Sequence, residues 1–174
     1  MILHKGETLF RQGEKGGLYR LQSGLLKIVR VHEDGTPTLV NMIVPEETIP
    51  HHSLLSPIPN YGTAIALVTC QIERLPAEQW YRDLEQQPEK FREIAGQLQD
   101  KLRMMQQRID QLTEVKPAVR LQKLQRWMHT YLGSVVLTDV LTQEEIGQFI
   151  GLRRETVNRL LREQAKLTTQ TEQQ

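Results

Sequence analysis

The 174-residue chain holds a single cysteine, Cys70, so it cannot close a disulfide within itself or supply the several thiolates of a structural zinc or iron–sulfur site. A small core residue is the role expected of it. Surplus charge is missing too: 22 basic residues against 21 acidic ones leave +1, too little for a polyelectrolyte that grips nucleic acid indiscriminately. Any affinity for DNA must therefore come from arginines placed locally. No apolar run is long enough to span a bilayer, and the opening text MILHKGE lacks the basic, apolar and small-residue segments of a secretory signal. A cytoplasmic protein with no membrane partner is expected. The sequence also lacks a Ser/His/Asp or Cys/His constellation at motif spacing and a phosphate-cradling Gly-rich loop. Neither an enzyme nor a cofactor is expected, and no residue is assigned a catalytic role.

What is present reads as an α+β chain whose two halves follow different periods. Across residues 6–75, short β-branched and apolar runs are punctuated by Gly, Asp-Gly and Pro, the pattern of strands and turns. The runs 26–31 and 39–44 flank a turn containing Asp34-Gly35, a pair that supplies positive-φ positions, so a hairpin is expected there. Two further strands are expected at 64–69 and 71–75. After Pro76 the text reads as helix.

Over residues 88–112, Phe91, Ala95, Leu98, Leu102, Met105, Ile109 and Leu112 recur at alternating steps of four and three, with Gln, Arg, Lys and Asp between them. This narrow apolar stripe on a wet helix is the seam of a coiled coil. Leu98, Leu102, Met105, Ile109 and Leu112 are therefore expected at a homodimer interface, the alternative being a helix packed on its own domain. Pro117 breaks the pattern and marks residues 113–117 as a hinge. The expected organisation is a β domain at 1–87, a dimer helix at 88–112, the hinge, and a helical domain at 118–174. Within the last, 135–141 reads as a strand or loop, and the Gln/Thr-rich stretch 168–174 as a disordered tail.

The densest signal is LTQEEIGQFIGLRRETVNRLL at 141–161. Thr142 with Glu145 three residues on forms a capping box that starts a helix. Gly147 allows a close crossing and Gly151 a sharp turn, while Ile146, Ile150, Val157, Leu160 and Leu161 give two short helices a common core. On a second helix starting near Arg153, the side chains of Glu155, Arg159 and Arg162 lie opposite Val157 and Leu161. That exposed chemistry suits a major groove, where Arg can pair bidentately with guanine and Glu can accept from cytosine, each good pair giving about 1–3 kcal/mol of discrimination. Arg154, one turn before Asn158, would enter with the helix N-terminus, and Thr142 and Gln143 are placed to meet phosphate.

The stretch EIGQFIGLRRETVNR resembles the helix-turn-helix of the CRP/FNR superfamily of bacterial regulators, its RETVxR segment being particular to the cyclic-AMP-receptor branch. KGETLFRQG at 5–13 and YRLQSG at 19–24 resemble the opening of that family's cyclic-nucleotide-binding-type β-roll, and the likeness covers roughly residues 2–165. It implies a double-stranded β-helix, a long dimerisation helix and a C-terminal helix-turn-helix domain that regulates transcription as a homodimer. It further implies that Arg154, Glu155 and Arg159 read bases in a palindrome with TGTGA-like half-sites, with Thr142, Gln143, Arg153, Asn158 and Arg162 as other DNA contacts. RNA polymerase and an unidentified small-molecule effector stand as further partners.

Three departures from the family pattern carry expectations of their own. Where the family's nucleotide cassette has a Gly-Glu turn and a later Arg-Ser-Ala, this chain has EETIPH at 46–51 and YGTA at 61–64. Only Glu47, Thr63 and Ala64 match, and without the arginine a buried phosphate would be costly, so cyclic AMP is not expected to bind. The chain enters the roll almost at its first residue, which speaks against cluster-ligating cysteines ahead of it. Residues 163–174 lack the glycine and strand pattern of the family's β-hairpin wing, so the wing's phosphate contacts are expected to be missing.

Glu47, His51, His52 and Thr63 are the candidate effector-pocket residues. Adjacent histidines diverge by about 100° on a helix and face opposite ways on a strand, so His51 and His52 are expected to line a polar pocket and to hold no metal or haem. A functional alternative remains: a dimeric small-molecule-binding or protein-interaction module that has lost sequence-specific DNA binding.

Overall fold

The computed structural model describes residues 1–171, arranged as eight strands and then six helices. The strands are β1 (Ile2–Leu3), β2 (Thr8–Phe10), β3 (Leu18–Ser23), β4 (Leu26–Val31), β5 (Pro37–Ile43), β6 (Thr48–Ile49), β7 (Thr63–Ala66) and β8 (Cys70–Leu75), with a short 3-10 turn at His51–Ser53 between β6 and β7. They form two four-stranded antiparallel sheets in the orders β1-β8-β3-β6 and β2-β7-β4-β5. The β4–β5 hairpin pairs Leu26 with Ile43 and Val31 with Pro37, and Gly35 takes the positive φ its turn needs. Leu21, Leu26, Ile43, Ile49, Ala64 and Ile72 meet in a core where each large side chain contributes roughly 1.5–3 kcal/mol by leaving water. Cys70 is fully buried in the same cluster, and burial pushes its thiol up, in keeping with an inert core residue.

The helices are α1 (Ala77–Gln86), α2 (Pro88–Thr113), α3 (Pro117–Leu132), α4 (Leu137–Val140), α5 (Gln143–Ile150) and α6 (Arg154–Thr171). The chain divides into two compact units, one spanning Met1–Gln107 and the other starting at Arg108. In the first, α1 secures the 3-10 turn: Trp80 Nε1–H donates to the Leu54 carbonyl at 2.8 Å and the Tyr81 hydroxyl to the Ser53 carbonyl at 2.7 Å. In the second, α3 to α6 close on Leu121, Leu124, Met128, Ile146, Ile150 and Val157, all buried.

The long helix α2 has two apolar faces where its sequence shows one seam. Ile94 is 1% exposed and packs with Leu18, Leu54, Trp80 and Leu84, and half-buried Leu98 joins that cluster of its own chain. Leu102, at 59% exposure, lies with Met105 and Ile109 on an open face. Residues 137–140, expected within a strand or loop, are instead the single-turn helix α4, which inserts Leu137 into the core of its unit. The tail expected to be disordered from 168 is helical through Thr171, because the good helix formers at 163–167 carry α6 onward; 172–174 lie outside the described residues.

Candidate DNA-reading surface and effector cavity

The helix-turn-helix is built by local rules. Thr142 caps α5: its hydroxyl accepts from Glu145 N–H at 3.2 Å while the Glu145 carboxylate accepts from Thr142 N–H at 2.9 Å. The same hydroxyl also lies 3.1 Å from Glu145 Oε2, so the Thr142 side chain is already occupied by the cap. Gly151 ends α5 at φ 67°, a left-handed conformation that costs glycine nothing. A Cβ on Gly147 would stand 2.5 Å from the Leu152 carbonyl oxygen, so the turn can fold back on α5 only over a hydrogen atom.

Arg120 of α3 ties this turn to Glu114 in the segment between α2 and α3, a role that sequence reasoning missed. Its guanidinium donates to the Ile150 and Gly151 carbonyls at 3.3 and 3.2 Å and to the Glu114 carbonyl at 2.6 Å. The helical periodicity of α3 gave no sign of it, because these partners lie up to 31 residues away.

On α6, Val157 and Leu160 are buried against the unit's core, while Arg153 before it and Arg154, Glu155, Arg159 and Arg162 on it are exposed. Asn158 and Gln143 are half-buried, and Thr142 is exposed. Arg154, Glu155 and Arg159 thus share a solvent-facing stretch of one helix. Arg159 Nη1 makes an exposed i,i+4 ion pair with Glu163 at 2.8 Å, a contact worth only about 0.3–0.5 kcal/mol and readily exchanged for a stronger partner.

In the other unit the four pocket candidates separate. His51 and His52 both border a cavity of about 270 Å³ whose walls include Phe10, Ile28, Ile43, Ile49 and Met105. Glu47 and Thr63 are not among its lining residues. The Thr63 hydroxyl accepts from Gln12 N–H at 3.1 Å. Glu47 points to Lys101 of α2, whose ammonium donates to both carboxylate oxygens at 3.1 and 2.8 Å and to the Met42 carbonyl at 3.2 Å. His51 Nε2 lies 2.7 Å from Glu47 Oε2. Burial pushes the Glu47 carboxyl up, but the hydrogen bond with His51 and the Lys101 charge outweigh it and hold the group below the ordinary value of 4.5. Burial holds His52 below its ordinary value, so its imidazole is neutral near pH 7.

Two cations near these residues went unread in the sequence. Lys101 is hidden among the solvated residues of the seam, yet it is 7% exposed and follows Ile94 by seven positions on the inward face of α2. Arg30 of β4 stacks 4.2 Å over the ring of Tyr61, which lines the cavity, and donates to its hydroxyl. At Gly62, where the family pattern has arginine, a Cβ would meet Ile28 Cγ2 at 2.8 Å and the Val29 carbonyl oxygen at 2.9 Å. No group of three or more metal-ligating side chains occurs among the described residues, and no helix there is long and apolar enough to cross a membrane.

A β-roll followed by a long helix and a helix-turn-helix is the architecture of a two-part bacterial regulator, and comparison with known proteins agrees. Residues 1–87 match the cyclic nucleotide-binding domain and residues 140–163 the crp family of bacterial regulatory proteins. The CRP-like cAMP-activated global transcriptional regulator of Mycobacterium tuberculosis is 32% identical over 166 residues, which cover 90% of this chain and 73% of that protein. The transcriptional activator protein anr of Pseudomonas aeruginosa is 26% identical over 167 residues, covering 91% and 67%. In fold the chain is similar to TTHB099, a CRP-family transcriptional regulator of Thermus thermophilus (TM-score 0.79, 20% identity, 97% of this chain and 85% of that one), and to FixK2 of Bradyrhizobium japonicum (0.76, 18%, 98% and 84%). The chain belongs to the CRP/FNR superfamily of bacterial regulatory proteins.

Proposed function

We propose that the protein is a dimeric, sequence-specific DNA-binding transcription regulator that does not depend on cyclic AMP and acts in the cytoplasm. The observation that carries this reading is the exposed row Arg154, Glu155 and Arg159 on a helix whose opposite side, Val157 and Leu160, is buried. These three read base edges, and Gln143, Arg153, Asn158 and Arg162 with the backbone N–H groups at the start of α5 engage phosphate. With the Thr142 hydroxyl taken by its cap, its contribution is to hold those N–H groups in place.

The exposed face of α2 at Leu102, Met105 and Ile109, continued by Leu98 and Leu112, forms the homodimer seam. The dimer presents α6 twice to a palindrome with TGTGA-like half-sites, beside which RNA polymerase is the further partner. Residues 1–87 act as the effector domain, 88–112 as the dimer helix, 113–117 as the hinge and 118–174 as the DNA-binding domain. Effector binding shifts the orientation of the DNA domains about the hinge. Two features support independence of cyclic AMP: Glu47 is held by Lys101 and His51, and a Cβ at Gly62, where the family pattern has arginine, would stand 2.9 Å from the Val29 carbonyl oxygen.

Fluorescence anisotropy at 150 mM salt, with a TGTGA palindrome and a scrambled duplex of equal length, tests this reading. A preference for the palindrome of at least about a thousandfold is expected, the low end for specific binders. Equal affinity would favour a ligand- or protein-binding module in its place, and tightening by cyclic AMP would overturn the claim of independence.

A further inference from the structure

Resting on the reading of α6 as the helix that enters DNA, we propose that Glu163 is a specificity-determining residue: it keeps Arg159 off phosphate at wrong sequences and yields it only to a base. Arg159 Nη1 lies 2.8 Å from Glu163 Oε1, with both side chains exposed. Of the exposed arginines Arg153, Arg154, Arg159 and Arg162, Arg159 alone has an acid three or four positions away, Glu155 before it and Glu163 after it. It pairs with Glu163, which leaves Glu155 to the groove.

Binding without regard to sequence comes from cations that neutralise phosphates and release counterions, each contact adding about 0.9 to the salt slope. While paired, Arg159 adds nothing to it. To take a phosphate it must exchange one hydrated oxyanion for another, and it leaves Glu163 bare. Glu163 stands one turn further along the same side of α6. A phosphate at the guanidinium therefore lies within the roughly 8 Å over which charges are felt at physiological salt, and the bare carboxylate repels it.

A guanine changes the balance. Its O6 and N7 accept two N–H groups of one guanidinium in a fixed geometry, whereas the pair with Glu163 uses a single nitrogen and a single oxygen. The pair is thus silent on bulk DNA and expendable at the operator. Arg153 and Arg162, which the same reading gives to phosphate, have no acid at helical spacing and supply grip at every sequence.

The test is fluorescence anisotropy of the full chain across a salt series, with the TGTGA palindrome and the scrambled duplex, for wild type, Glu163→Gln, Arg159→Ala and the double variant. On the scrambled duplex, Glu163→Gln is expected to steepen the salt slope by about 0.9 and to bind on the order of fivefold more tightly at about 150 mM salt. With Arg159→Ala in place there is no cation left to free, so adding Glu163→Gln should leave the slope unchanged. On the palindrome Arg159 is already engaged by a guanine, and Glu163→Gln should tighten binding by less than about twofold, so that the palindrome-to-scrambled ratio narrows. An unchanged slope in Glu163→Gln, the same rise with and without Arg159, or a ratio that does not narrow would overturn the proposal. If wild type prefers the palindrome and Glu163→Gln behaves like wild type, this proposal alone falls; a wild type without preference overturns the reading of α6 and the proposal with it.

Discussion

Lys101 Nζ stands 2.8 Å from Glu47 Oε2, so that a cation carried by the long helix closes on the acid just before β6, both side chains largely out of water. Taking away one member of such a pair strands the other. Lys101→Met is expected to destabilise the protein by roughly 3 kcal/mol in urea melts, and adding Glu47→Gln should recover much of that loss, since a buried pair replaced as a whole costs little. A double variant as unstable as the sum of the two single variants would show that the pair is not coupled.

The same carboxylate gives a pH dependence with a definite sign. The folded pKa of Glu47 is depressed below 4.5, so at a pH between the folded and unfolded values the unfolded chain binds more protons and stability rises with pH. The contribution is full above 4.5 and lost as pH falls through the folded value. Glu47→Gln should therefore lower stability at pH 7 and flatten the acid limb of the stability curve below pH 4.5, as followed by thermal melts. An unchanged acid limb would contradict the assignment.

The two faces of α2 should respond oppositely. Leu102 is open to solvent within its own chain, so Leu102→Lys should change the monomer's stability by no more than about 0.5 kcal/mol while abolishing the dimer in sedimentation equilibrium. Ile94→Ala, in contrast, empties a packed site and should cost about 2–5 kcal/mol. A Leu102→Lys protein that still sediments as a dimer would remove the seam.

What the sequence made legible was local. The Asp34-Gly35 hairpin, the Thr142–Glu145 capping box and the Gly151 turn each announce themselves within three to five residues, because the groups that fix them lie close along the chain. Lys101 and Glu47 are 54 residues apart and Arg30 and Tyr61 are 31 apart, so no periodicity could pair them. By periodicity the apolar stripe through Leu98 is one face, but tertiary packing on Trp80 and Leu84 turns Leu98 partly inward. At 135–137, Val-Val-Leu suits a strand by propensity, yet the need to bury Leu137 makes a helical turn of the residues that follow.

Two substitutions test how the recognition helix is aimed. Gly147→Ala would drive a methyl group to within 2.5 Å of the Leu152 carbonyl oxygen, so the turn must shift; a loss of about 1–3 kcal/mol is expected in urea melts. Arg120→Ala frees the Ile150 and Gly151 carbonyls and should weaken binding to the palindrome without altering which base pairs are preferred. A change in base preference in Arg120→Ala would place that residue in contact with DNA.

The most direct measurement of the central claim compares wild type and Arg159→Ala against every single-base-pair variant of the TGTGA half-site at fixed salt. Freed from its weak pair with Glu163, Arg159 should contribute at one position: the variant is expected to lose about 1–3 kcal/mol on the preferred palindrome and to become indifferent to the identity of a single base pair. Equal weakening on all sequences, with the full preference profile intact, would contradict the account and make Arg159 a phosphate contact.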